Sequence, residues 1–198
     1  MIYKYTNKNS KETIILLHGT GGNEESLFTI GKLINPNANL LGIKGNVNEN
    51  GLNRFFKRFK LGLYDLESYH LELNKLTETI INLSEKYNFN LNNTTIIGFS
   101  NGANIASGLL SKDNLKVKNY GLLSADLIDP NLKLNDLSNK NIFLSYSFND
   151  PFVKIENFNG FIRLLKNKNA NLNLMEISGH LINENLINNL KSWYELYK

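Results

Sequence analysis

Cysteine is absent from this sequence of 198 residues, proline occurs three times and tryptophan once. Without cysteine the protein has no disulfide framework, no thiolate metal site and no sulfur nucleophile, as is typical of proteins from a reducing compartment. The apolar runs are far shorter than the roughly 18 residues of a membrane span, and the N-terminus reaches charged residues without the apolar core of a signal peptide. We therefore expect a cytoplasmic protein with no stable membrane insertion.

A strong charge of one sign is also missing, because the formal net charge is only +4 at pH 7 and lysines are spread along the chain. Residues 54–60 (Arg-Phe-Phe-Lys-Arg-Phe-Lys) interleave basic and aromatic side chains, a pattern that could contact phosphates and stack on bases. The same pattern is typical of an amphipathic segment whose phenylalanines face inward and whose cations face water. We favour the second interpretation and expect no nucleic-acid partner.

Short apolar runs alternate with helical patterns throughout, which predicts a single α/β domain spanning residues 1–198. The runs are apolar at consecutive positions, as expected of strands buried on both faces of a mostly parallel sheet. The predicted strands cover residues 13–17, 40–43, 94–97, 119–123, 142–146 and 172–177, and the predicted helices cover residues 26–34, 66–87, 103–110, 155–168 and 183–197. Residues 1–6 alternate weakly and could add an antiparallel edge strand.

A Gly-x-Ser-x-Gly motif carries the strongest chemical signal. Gly98-Phe-Ser100-Asn-Gly102 follows a β-branched run and precedes small residues that allow a helix to pack closely on a sheet. This is the context of a nucleophile elbow, in which a sharp strand-to-helix turn exposes the serine hydroxyl and points the helix N-terminus at a developing oxyanion. Ser100 is therefore the candidate nucleophile.

A serine nucleophile needs a base, and the sequence offers three histidines. His70 falls inside the long predicted helix 66–87, where a surface or partly packed histidine is the common case. His18 follows the first predicted strand in a glycine-rich loop, so we expect it to organise that loop while Thr20 donates its backbone N–H to an oxyanion. His180 follows the last predicted strand, where α/β proteins bind ligands, and is the candidate base.

The base in turn needs a carboxylate that fixes its tautomer, placed between the serine and the histidine in chain order. Asp150 fits best because it follows the predicted strand 142–146 and stands in a turn closed by Pro151. Asp126, after the preceding apolar run, is the alternative acid. The glycine-rich loop after His18 lacks a phosphate-loop or dinucleotide fingerprint, and no histidines stand at ligand spacing, so neither a cofactor nor a metal is predicted.

These motifs resemble the bacterial carboxylesterase/phospholipase family of the α/β-hydrolase superfamily, relatives of dienelactone hydrolase and the acyl-protein thioesterases. The resemblance runs nearly end to end. Besides the serine motif, it includes Leu-His-Gly-Thr-Gly-Gly-Asn at 17–23, Gly-Asn-Val-Asn-Glu-Asn-Gly at 45–51 with Arg-Phe-Phe at 54–56, Asn-Asp-Pro at 149–151 and Gly-His at 179–180. The signature at 45–56 is similar to that of a subgroup of esterases tied to quinone and aromatic-compound stress.

The resemblance implies an α/β-hydrolase fold without a large cap domain and a serine esterase that forms an acyl-enzyme intermediate. Carried over residue by residue, it implies a catalytic triad of Ser100, Asp150 and His180. It also implies an oxyanion hole formed by the backbone N–H groups of Thr20 and Asn101. The triad and the Thr20 donor are the groups to which the residue types and their spacing also point.

The expected substrates are short-chain or small aromatic carboxylic esters, because no insertion long enough for a helical cap separates the serine from the histidine. Residues 45–65 are the one candidate for a partial lid, and Arg54, Phe55 and Phe56 are candidate pocket residues, with core filling by the phenylalanines as the equal alternative. A lysophospholipase or acyl-protein thioesterase, and a non-catalytic binding protein of the same fold, are the alternative functions. No segment marks an interface, so a homodimer is left open.

Overall fold

A computed structural model describes residues 1–198, which build one seven-stranded sheet, two small hairpins and five α-helices. The strands are β1 (Tyr3–Thr6), β2 (Thr13–Leu17), β3 (Asn39–Ile43), β4 (Val47–Glu49), β5 (Leu52–Arg54), β6 (Arg58–Lys60), β7 (Leu63–Tyr64), β8 (Thr94–Phe99), β9 (Asn119–Leu123), β10 (Asn141–Tyr146) and β11 (Asn171–Glu176). The helices are α1 (Phe28–Ile34), α2 (Leu66–Tyr87), α3 (Asn101–Gly108), α4 (Ile155–Lys166) and α5 (Glu184–Tyr197).

The large sheet has the strand order β1-β3-β2-β8-β9-β10-β11 and is parallel except for β1, which pairs antiparallel with β3 at the edge. This confirms the mostly parallel sheet expected from the sequence, including the antiparallel edge strand. The inner strands β2, β3 and β9 are buried at every position. Continuous burial requires cover on both faces, which is why these strands read as unbroken apolar runs.

Two hydrophobic cores lie on the two faces of the sheet, because successive side chains of a strand point in opposite directions. In β2, Ile15 and Leu17 belong to the larger core, which α2, α3 and α4 cover. Ile14 and Leu16 belong to the smaller core, which α1 and α5 cover. The helices therefore flank the sheet on both sides, and none of the five has the length and apolarity needed to cross a membrane.

The segment from 45 to 65 forms two antiparallel hairpins, β4–β5 and β6–β7, between β3 and α2. In the first hairpin Glu49 pairs with Leu52, and the two turn residues Asn50 and Gly51 have positive φ angles of 53° and 82°. Asn-Gly is the preferred pair for a two-residue hairpin turn, since both positions need left-handed backbone. The hairpins were not predicted as strands, and they supply part of the wall of the cavity described below.

Candidate active site

Ser100 occupies the sharp turn between β8 and α3, with φ 52° and ψ −116°. Its N–H donates to the Leu123 carbonyl at 2.9 Å, which fixes the turn against the neighbouring strand β9. The flanking glycines are required by space: a Cβ at Gly98 would lie 2.5 Å from Gly102, and one at Gly102 would lie 2.0 Å from the Leu17 oxygen. A non-glycine residue in this backbone region is strained, and such strain is concentrated at functional sites.

Beyond the ends of β10 and β11, His180 Nδ1 pairs with Asp150 Oδ2 at 2.7 Å. Both side chains are buried, with 10% of His180 and 1% of Asp150 exposed. The second carboxylate oxygen, Asp150 Oδ1, accepts the backbone N–H groups of Phe152 at 2.8 Å and Val153 at 3.1 Å. A carboxylate held in this way fixes the imidazole orientation and leaves Nε2 as the free ring nitrogen.

Asp126, the alternative acid, makes no hydrogen bond to His180, which pairs with Asp150. Its Oδ2 accepts the Tyr64 hydroxyl at 2.9 Å, its backbone N–H donates to Asn104 Oδ1 at 2.7 Å, and its Oδ1 is buried without a hydrogen-bond partner. Burial raises the pKa of Asp126, since the charged form is poorly solvated there. The Asp150 carboxylate therefore accepts several hydrogen bonds, whereas the Asp126 carboxyl group accepts few.

The two backbone N–H groups expected to bind an oxyanion are free of partners within the protein. Thr20 N–H makes no hydrogen bond. Asn101 is the first residue of α3, where an N–H has no carbonyl one turn earlier in the helix. Arg54 Nη1 donates to Thr20 Oγ1 at 2.8 Å and Gly21 N–H donates to the Asn53 carbonyl at 2.8 Å, so the hairpin β4–β5 anchors the Thr20 loop.

The other two histidines have structural contacts. His18 is buried, accepts the Gly45 N–H on Nε2 at 3.1 Å and lies 2.7 Å through Nδ1 from the Gly19 carbonyl. Since Nε2 accepts, Nδ1 carries the proton, and burial lowers the pKa of this neutral ring. His70 Nε2 lies 3.0 Å from Asp129 Oδ2 at the surface. His18 thus organises its loop, as expected, and His180 is the one histidine in the cavity wall.

A cavity of about 250 Å³ opens at this edge of the sheet. Its wall includes Thr20, Ser100, Asn101 and His180. Ser100 and His180 share the cavity without a hydrogen bond between their side chains; such bonds are often long in unliganded enzymes and tighten around substrate. No group of three or more His, Cys, Asp or Glu side chains is placed to hold a metal ion.

The hairpins contribute Arg54, Arg58, Leu61 and Tyr64 to the same wall. Of the three predicted pocket residues, only Arg54 lies there. Phe55 and Phe56 are fully buried in the larger core and do not line the cavity, so they fill the core instead. The sequence has no periodic pattern that would have placed Arg58, Leu61 or Tyr64 in the cavity wall.

Comparisons with known proteins identify the family of the chain. The sequence profile of the Phospholipase/Carboxylesterase family matches residues 4–197. The chain is 33% identical to MhqD of Bacillus subtilis (strain 168) over 200 aligned residues, and the alignment covers 98% of each chain.

Among solved structures, a carboxylesterase from Bacillus cereus superposes with a TM-score of 0.94 at 31% identity and covers 99% of this chain and 94% of its own. A structure of YahD with malic acid superposes with a TM-score of 0.93 at 31% identity, and the match covers 100% of this chain and 99% of that chain. The family profile, the relative and the solved structures all match this chain over nearly its whole length and agree with the observed fold. The chain belongs to the phospholipase/carboxylesterase family of the α/β-hydrolases and is a hydrolase.

Proposed function

We propose that the protein is a serine esterase in which Ser100 is the nucleophile, His180 the general base and Asp150 the group that orients the histidine. The observation that carries the proposal is the buried 2.7 Å pair of His180 and Asp150 in the cavity that also contains the strained Ser100. A serine hydroxyl is a weak nucleophile until a base takes its proton, and an imidazole held by a carboxylate is suited to that task.

In the proposed cycle Ser100 attacks the ester carbonyl while His180 takes the serine proton and passes it to the departing alcohol. The tetrahedral oxyanion is stabilised by the Thr20 and Asn101 N–H groups, and removal of one such donor typically costs about 10²–10³ in kcat. A water molecule activated by His180 then releases the acid from the acyl-enzyme. No step requires a metal or a cofactor.

Short-chain and small aromatic esters are the proposed substrates, because the cavity of about 250 Å³ at Ser100 is open at the surface. The adjoining cavity of about 530 Å³, which shares Arg54, Arg58 and Leu61 with it, is lined mainly by polar residues and offers no apolar channel. A lysophospholipase or acyl-protein thioesterase would need a longer apolar channel. The cavity wall contains Leu61, Phe152 and Val153 beside polar residues, which supports contact with a short acyl or aromatic group rather than with a long chain.

The test is hydrolysis of p-nitrophenyl acetate, butyrate, octanoate and palmitate by the wild-type protein and by Ser100→Ala, with folding matched by circular dichroism. We expect activity that falls with chain length and a loss of about 10³-fold or more in Ser100→Ala. A fluorophosphonate probe should add its mass to the peptide containing Ser100 in the wild type only. A palmitate optimum would favour the lipase or thioesterase alternative, and a folded protein inert towards every ester and the probe would favour a binding protein.

A further inference from the structure

The cavity wall carries two cations and no carboxylate. Arg54 and Arg58 both line it, whereas no Asp or Glu side chain does. Arg54 is buried and its charge is compensated, because its Nε lies 3.1 Å from Glu49 Oε2 and donates to the Phe56 carbonyl at 3.2 Å. Burying a guanidinium without such partners would be costly, so Arg54 serves the structure of the hairpin and the Thr20 loop.

Arg58 differs from Arg54, because its guanidinium has no ion pair and no hydrogen bond within the protein. Its backbone N–H donates to Glu49 Oε1 at 3.3 Å, so the carboxylate that neutralises Arg54 also fixes the start of β6. One uncompensated positive charge is thereby held at the cavity wall on an anchored backbone. A guanidinium matches the planar geometry of a carboxylate and binds it through two parallel hydrogen bonds.

The neutral wall residue Asn104 also offers a hydrogen-bond donor. The Asn104 side-chain oxygen accepts the Asp126 N–H at 2.7 Å, and the Asn104 amide nitrogen makes no hydrogen bond within the protein. The Tyr64 hydroxyl donates its hydrogen bond to Asp126 Oδ2 at 2.9 Å. A cavity with a free amide donor and a free cation is complementary to an oxygen-rich, negatively charged ligand.

We propose that the preferred substrates are small esters that carry a carboxylate close to the scissile carbonyl, such as monoesters of short dicarboxylic acids, with Arg58 as the residue that binds the carboxylate. This inference rests on the proposed serine esterase function. For a dicarboxylate monoester, Ser100 displaces the alcohol, which leaves with the proton carried by His180, and water then displaces the serine. The net reaction consumes one water and releases the dicarboxylate and the alcohol, with no other reactant.

The test compares kcat/KM for two matched pairs of esters, measured by titration of released acid. Methyl hydrogen glutarate against methyl valerate places the charge on the acyl side, and acetoxyacetate against propyl acetate places it on the alcohol side. We expect a preference of about tenfold or more for the anion in at least one pair, since a hydrogen bond to a charged group is worth about that factor. The preference should shrink as ionic strength rises.

Arg58→Gln should lower that anion-to-neutral ratio by about tenfold, and Arg58→Glu should lower it further. Lys57→Gln is the matched control: it removes the same charge one residue away, from an exposed side chain that does not line the cavity, and should keep the wild-type ratio. Equal kcat/KM for anionic and neutral esters in both pairs, or an equal loss of the ratio in Lys57→Gln and Arg58→Gln, would overturn the inference while leaving the esterase proposal standing.

Calorimetric binding of glutarate to Ser100→Ala separates the two proposals further. We expect binding that weakens by about tenfold or more when Arg58→Gln is added. Glutarate binding that depends on Arg58, together with a wild-type protein that hydrolyses no ester, would refute the esterase while supporting the anion site. Absence of binding together with uniform ester hydrolysis would refute the anion site alone.

Discussion

The two buried aspartates of the site differ in the hydrogen bonds that their carboxyl groups receive. Asp150 is bonded to His180 and to two backbone N–H groups, whereas Asp126 has the Tyr64 hydroxyl and an oxygen without a partner. Hydrogen bonds to a carboxylate favour its charged form, and burial without them favours the neutral form. Environment rather than residue type therefore supports the orienting role that we propose for Asp150.

Asp150→Asn and Asp126→Asn test that assignment as a matched pair. Asn at 150 would present an amide to His180 and disturb the tautomer that the reaction needs, so we expect kcat to fall by about 10³–10⁴. Asn at 126 keeps an acceptor for Tyr64 and touches neither reacting group, so the loss should be far smaller. Comparable losses of ester hydrolysis in the two variants would contradict the assignment.

Stability should depend on pH through Asp126. Burial raises its pKa above the ordinary value of about 3.9, so the neutral carboxyl is tolerated at low pH and the folded state loses stability as pH rises through the raised pKa. Asp126→Asn removes this loss. We expect the melting temperature of Asp126→Asn minus that of the wild type to be larger at pH 8 than at pH 4. The same difference at both pH values would show that burial does not destabilise the charged carboxylate.

At position 100 the backbone conformation predicts that glycine gives a more stable protein than alanine, the reverse of the usual order. Its φ of 52° and ψ of −116° lie where a Cβ is disfavoured, so Ser100→Gly relieves strain that Ser100→Ala retains. We expect Ser100→Gly to unfold at a higher denaturant concentration than Ser100→Ala, by about 1 kcal/mol. Equal stability in chemical denaturation would mean that the turn relaxes around alanine.

Among the elements, those buried on two faces were predictable and the surface hairpins were not. The predicted strands 13–17 and 119–123 and the predicted helix 66–87 have the same bounds in the structure. The strands appear as continuous apolar runs, and the helix begins where the Asp65 side chain accepts the Ser68 N–H at 2.9 Å. The hairpin strands are two or three residues long with mixed exposure, so no period could develop.

The same distinction holds for the site. Ser100, Asp150 and His180 follow strands, so the end of a parallel sheet and the chain order of the family suggested them before any contact was known. Arg58 and Tyr64 enter the cavity wall from a hairpin whose position depends on contacts far apart in sequence, such as that between Tyr64 and Asp126. Sequence patterns of a single segment do not report such contacts.

Contact between α3 and the sheet depends on the absence of a side chain at Gly102. A Cβ there would lie 2.0 Å from the Leu17 oxygen, so Gly102→Ala must push the helix and the Ser100 turn away from β2. We expect a loss of several-fold or more in kcat/KM and destabilisation of about 1–3 kcal/mol. Gly160→Ala in α4 is the control, because its Cβ would meet Leu127 at an ordinary 3.5 Å and should stabilise the helix by about 0.5–1 kcal/mol. Similar unfolding curves for the two variants would refute the steric argument.

For the whole molecule, the two cores share one sheet, so we expect them to unfold together. Trp193 on α5, the single tryptophan, lies in the smaller core with its ring 5.8 Å from that of Phe143. Its fluorescence therefore reports the face that α1 and α5 cover, whereas far-ultraviolet circular dichroism reports all five helices, most of whose residues lie in α2, α3 and α4 on the other face. In urea the two signals should give coincident transitions. Separate midpoints would indicate that one layer detaches before the other.

The hairpin β6–β7 has a further consequence, for how members of this family could diverge. The proposed triad is carried by turns at the ends of β8, β10 and β11, whereas Arg58 and Leu61 belong to a short insertion that contributes no strand to the large sheet. Mutations in this insertion can alter what the cavity accepts while the turns that carry the triad stay intact. The proposed specificity residue and the proposed triad thus lie on separate elements, so we expect exchange of this hairpin to change the substrate preference and to leave the chemical step intact.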